Sequence, residues 1–95
     1  MNKYEAMFIV KPDLSEEERK TLFQQIGDIV TKHKGEVANA AVWQERKKLF
    51  FPLKKHQEGL YYLVTFSINP LAVKEITHAY KLNENILRVM ITSLA

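Results

Sequence analysis

Residues 59–80 read GLYYLVTFSINPLAVKEITHAY, and this stretch decides the fold. Leu60 to Ile68 is dense in aromatic and β-branched side chains over strand length, the composition of a half-buried strand. Asn69-Pro70 then gives a helix cap followed by proline at the first helical position, where a missing N–H costs nothing. Leu71, Val73, Ile76 and Tyr80 recur as a helical stripe. A strand feeding directly into an amphipathic helix must have that helix laid back over one face of its sheet.

Working upstream, Lys54-Lys55-His56-Gln57-Glu58-Gly59 reads as a polar turn, and Val37 to Leu53 as an extended segment interrupted by charges from Gln44 to Lys48. Pro52 suits an edge strand or strand end. The two strands form a hairpin. Before them, Ser15-Glu16-Glu17-Glu18 has the form of a capping box with acidic residues at the positive end of a helix dipole. Leu22, Phe23, Ile26, Ile29 and Val30 supply the buried stripe, Lys32-His33-Lys34 sits at the negative end, and Gly35 is expected to take the left-handed stop. Gly27, inside this helix, is expected to serve close packing. Lys3 to Val10 is a first strand closed by Lys11-Pro12-Asp13, and Ile86 to Leu94 a last strand after Asn83-Glu84-Asn85. The order βαββαβ predicts an α+β, ferredoxin-like split βαβ fold: a four-stranded antiparallel sheet with two helices on one face. Residues 1–95 are one domain by length.

Composition narrows the function classes. With 46% hydrophobic and 26% charged residues, the chain has the balance of a globular domain. Absence of cysteine removes a disulfide framework, a thiol nucleophile and Cys-ligated metals. Ala6 to Val10, the longest apolar run near the start, is far short of a membrane span. His33, His56 and His78 lie in no metal-binding spacing, and Gly27, Gly35 and Gly59 form no phosphate-cradling loop. No metal, cofactor, catalytic residue or small-molecule substrate is expected. The net charge of +3 is regional: Ile29 to Glu58 holds seven cations and three anions, and the remainder sums to −1. Within it, Arg46-Lys47-Lys48-Leu49-Phe50-Phe51 followed by Lys54-Lys55 interleaves cations with aromatics, a combination that meets phosphates and stacks on bases. Lysines on an edge strand also serve to block sheet-to-sheet aggregation.

Period-two alternation sorts the strands into faces. Ala6, Phe8, Val10, Val64, Phe66, Leu87, Val89 and Ile91 form the expected core set. The opposite face carries Met7, Ile9, Tyr61, Leu63 and Met90, rimmed by Glu5 and Arg88. If two helices cover only one face, this apolar set stands in water as a partner surface, unless a bent hairpin covers part of it.

Tyr4-Glu5, then Ile9-Val10 and Pro12 before an acidic helix start, then Arg46-Lys47-Lys48-Leu49-Phe50-Phe51-Pro52-Leu53-Lys54, Gly59, and Leu82-Asn83 to Leu87-Arg88 together resemble bacterial small-subunit ribosomal protein six, in order and over essentially the whole chain. Where family members carry Trp-Gly ahead of the basic pair, this chain has Gln44-Glu45, with Trp43 displaced by one. The resemblance implies a non-catalytic constituent of the cytoplasmic small ribosomal subunit that binds the central domain of small-subunit ribosomal RNA together with small-subunit protein eighteen. The expected RNA contacts are Lys3, Arg46, Lys47, Lys48, Lys54, Lys55 and Arg88, and the expected protein surface is Met7, Ile9, Tyr61, Leu63 and Met90. The competing class is a small regulatory or metabolite-binding domain that homodimerises through the exposed sheet face.

Overall fold

The computed structural model describes residues 1–53 and 56–94, with the side chains of 50–52 left aside. Strands β1 (Asn2–Val10), β2 (Glu36–Leu53), β3 (His56–Ile68) and β4 (Ile86–Leu94) form one antiparallel sheet in the order β2-β3-β1-β4. Helix α1 (Glu16–Lys32) joins β1 to β2, and a short 3-10 turn (Pro70–Ala72) leads into α2 (Val73–Lys81) between β3 and β4. The βαββαβ order and the two-layer architecture are those expected from the strand and helix signals.

Register makes the core. Tyr4, Ala6, Phe8 and Val10 stand opposite Phe66, Val64, Tyr62 and Leu60, so the two central strands present one continuous apolar face, all of it buried. Leu22, Ile26 and Val30 of α1 and Ile76 and Tyr80 of α2 close over it. Each large side chain withdrawn from water here contributes about 1.5–3 kcal/mol. Phe8 meets Tyr80 edge-on at 4.8 Å, and Phe23 stacks on Tyr62 at 3.8 Å. The Tyr80 hydroxyl donates to the Ile26 carbonyl oxygen at 2.7 Å, tying α2 to α1 through the core; burial holds this phenol well above the usual tyrosine range.

The capping box forms as read: the Glu18 amide donates to Ser15 Oγ and the Ser15 amide to Glu18 Oε1, each at 3.1 Å. The hydrogen bond from the Ser15 backbone, then that with its side chain, lowers the Glu18 pKa. Asn69 caps the 3-10 turn, its side-chain oxygen accepting from the Leu71 amide at 3.0 Å.

Several expectations are corrected. The left-handed residue after α1 is Lys34, with φ 65°. Gly35 is required for another reason: a Cβ there would sit 2.8 Å from the Ser67 carbonyl oxygen and from Val30 Cγ1. Gly27 makes no close approach that needs glycine, since an added Cβ would meet no atom beyond its own stretch of helix within 4 Å. Leu71 leaves the helical stripe and is 85% exposed, because the first turn is 3-10 and points it outward. The polar run after residue 55 is strand, not turn: β3 begins at His56. On β4 the register shifts between Ile9 and Val10, which face Arg88 and Ile86. Leu87 is the extra residue of that bulge, so Ile86 enters the core, Leu87 is buried outside it, and Val89 and Ile91 pack at its margin.

Candidate protein and nucleic-acid interface

The second face of the sheet has no helix. Across its middle run Ala41, Leu63, Met7 and Met90 in register, with Asn39, Thr65, Glu5 and Thr92 on one side. On the other side the face is enclosed by β2 itself. Its register with β3 shifts between Val42 and Gln44, between Gln44 and Lys47, and between Lys48 and Leu53; such bulges bend a strand and re-aim its side chains. The hairpin therefore curls over the end of β1. Gly59 permits the approach, because a Cβ there would lie 2.5 Å from Ile9 Cγ2.

The curl leaves a groove of about 450 Å³. Met7, Ile9, Leu49, Leu53 and Met90 supply its apolar surface, Trp43 and Tyr61 an aromatic wall, and Lys47, Lys48 and Arg88 its charge. Trp43, 52% exposed, meets Tyr61 at 5.8 Å in an edge arrangement. Lys47 Nζ stands 5.0 Å from the Trp43 ring and 5.3 Å from that of Tyr61, within cation–π range of both.

The expected sites are thus partly gathered and partly dispersed. Met7, Tyr61, Leu63 and Met90 lie on the open face; Ile9 faces it too but is only 6% exposed, covered by the curled hairpin. Lys47, Lys48 and Arg88 converge on the groove. Lys3 opposes Ser67 and Leu94 at the other end of the sheet, six residues and roughly 20 Å along the strand from Ile9. Lys54 and Lys55 lie outside the described residues. Arg46 is drawn away: its Nη2 lies 2.8 Å from Asp13 Oδ1 and its Nη1 3.4 Å from Glu58 Oε1. Beside it Glu45 meets Arg19 of α1 at 3.3 Å. Trp43, Leu49 and Leu53 were missed as groove residues. Alternation counted through the charged segment assumes unbroken pairing, and the bulges break it.

Among the described residues no three His, Asp or Glu side chains gather as metal ligands, and no helix is long and apolar enough to cross a membrane. His33 Nδ1 lies 2.9 Å from the Ile29 carbonyl oxygen and Nε2 3.4 Å from Glu75, joining α1 to α2 remote from the groove.

A family model for ribosomal protein S6 matches residues 3–93. The chain belongs to the ribosomal protein S6 family. It is 36% identical over 91 residues to the small ribosomal subunit protein bS6 of Caldanaerobacter subterraneus subsp. tengcongensis, covering 96% of this chain and 95% of that protein. The bS6 of Thermoanaerobacter pseudethanolicus is 37% identical with the same coverage; against that of Helicobacter pylori (strain Shi470), also 37% identical, the chain spans 63% of the relative's length. The crystal structure of 30S ribosomal protein S6 from Thermotoga maritima superposes with a TM-score of 0.88 at 26% identity, over 98% of this chain and 87% of that one. The family is one of ribosomal structural proteins rather than enzymes, which agrees with the sequence reading and disfavours the metabolite-binding alternative.

Proposed function

We propose that this small-subunit ribosomal protein of the S6 family works in the cytoplasm as an adaptor, joining the central domain of small-subunit ribosomal RNA to small-subunit protein eighteen. The observation that carries the proposal is the groove on the open sheet face, where an apolar floor and an aromatic wall stand beside Lys47, Lys48 and Arg88. Apolar surface left in water favours a protein partner, and the cations at its margin favour phosphate oxygens, which position a protein without reading sequence. Lys3 is a further phosphate contact at the far end of the sheet, and Lys54 and Lys55 extend the basic segment in sequence. With a net charge of +3, the isolated chain binds RNA weakly and with a steep salt dependence, since each phosphate contact adds about −0.9 to the log–log slope on duplex and about −0.7 on single strands. A protein partner seated on the apolar floor compensates for that weakness.

The test is RNA binding of Lys47→Gln/Lys48→Gln, titrated with a central-domain fragment over a range of salt, with and without protein eighteen. Affinity is expected to fall and the salt slope to flatten by about one to two contacts' worth, while folding stability stays within about 0.5 kcal/mol of wild type. An unchanged slope would take these lysines off the RNA surface.

A further inference from the structure

Arg46, Lys47 and Lys48 are consecutive in sequence, but the structure gives them different company. Lys47 and Lys48 border the groove. Arg46 sits where β2 advances three residues, from Gln44 to Lys47, while β3 advances two, from Tyr61 to Gly59. This bulge turns its side chain toward the β1–α1 loop, where Asp13 takes Nη2 at 2.8 Å and Glu58 of β3 takes Nη1 at 3.4 Å. We propose that Asp13 and Glu58 hold Arg46 in an autoinhibitory contact, which an RNA phosphate must displace before Arg46 can bind it. The inference rests on the reading above that this segment meets RNA.

Guanidinium is the side chain best matched to a phosphate, because its planar fork offers two parallel N–H donors. Here both terminal nitrogens already face carboxylates, and one guanidinium between two carboxylates leaves the locus with a net negative charge that repels an approaching phosphate. Yet all three side chains are substantially exposed, Arg46 at 54%, Asp13 at 70% and Glu58 at 47%. Exposed ion pairs are weak, so the contact is exchangeable. It is strong enough to suppress casual binding to polyanions and weak enough to yield to a phosphate that other contacts have brought into place.

The experiment is a double-mutant cycle on the full chain: wild type, Asp13→Asn/Glu58→Gln, Arg46→Gln and the triple variant, each titrated at fixed salt with polyuridylate and with the central-domain fragment. Removing both carboxylates is expected to tighten polyuridylate binding about 3- to 10-fold when Arg46 is present, and about 2-fold at most when it is absent, the remainder being long-range charge. An equal gain in both backgrounds would overturn the proposal. So would wild-type affinity of Arg46→Gln for the central-domain fragment, where the other contacts are expected to release Arg46. Asp13→Asn alone provides the same comparison should the double variant fold poorly. Lys47→Gln/Lys48→Gln separates the two levels of the argument: if it weakens RNA binding while the cycle is additive, only the autoinhibitory contact fails, whereas if no variant alters RNA binding, the RNA reading fails with it.

Discussion

Val89 and Met90 are neighbours on β4, yet Val89 packs at the margin of the helix-covered core while Met90 stands 40% exposed beside the groove. The same contrast runs through β1, where Phe8 is fully buried under α2 and Met7 is only partly covered on the other face. One face is filled by residues contributed from β1, β3, β4 and both helices. The other is closed only where the β2–β3 hairpin curls onto Ile9. Burial on the first face stabilises the isolated chain, whereas apolar area on the second does so only when something covers it.

The largest effect that would break this contrast is Phe8→Ala. Phe8 lies between Tyr62 and Tyr80, with ring centroids 6.3 and 4.8 Å away, so its loss should cost about 3–5 kcal/mol through lost burial and a cavity. Chemical denaturation measures this directly, and a cost below about 1 kcal/mol would mean that this face is not the organising core. Gly59→Ala probes the one closed corner of the open face. Its Cβ would fall 2.5 Å from Ile9 Cγ2, so the hairpin must back away from β1 at a cost of about 1–3 kcal/mol. Hydrogen exchange should show the loss concentrated in the Lys47–Gly59 pairing, and uniform weakening of the sheet would argue against a local curl.

Gly27→Ala is a smaller change of opposite sign. The site is helical, and an added Cβ touches nothing beyond its own stretch of helix within 4 Å, so alanine should stabilise by about 0.5–1 kcal/mol by reducing the freedom of the unfolded chain. A loss of stability on thermal melting would restore the close-packing role expected from the sequence.

How legible the molecule was in its sequence differs between the same two faces. The covered face follows from local signals, because the Ser15–Glu18 box, the Asn69-Pro70 start and the alternation of Tyr4 to Val10 each act through nearest neighbours and through regular pairing. The open face depends on irregular pairing. Register shifts along β2, above all the one between Gln44 and Lys47, decide that Arg46 turns to Asp13 while Lys47 turns to Trp43 and Tyr61, and bulges leave no compositional mark in a run of charges. Burial of Ile9 depends on a glycine fifty positions away in the chain, a contact that strand alternation does not anticipate. Lys34 takes the left-handed position while Gly35 is reserved for the close approach to Ser67 and Val30. That is a tertiary demand overriding the local preference for glycine.

The central claim, that the uncovered sheet face is the protein-binding surface, is tested most directly by Met90→Asp. Denaturation of the isolated variant should lie within about 1 kcal/mol of wild type, because Met90 lies outside the core and the cost is confined to a partly exposed strand position. Calorimetric titration with protein eighteen and the central-domain RNA fragment should show affinity falling at least about 10-fold, since a partner seated on this face would bury an unpaired carboxylate. A folded Met90→Asp variant that assembles with wild-type affinity would contradict the account and move the protein interface off this face.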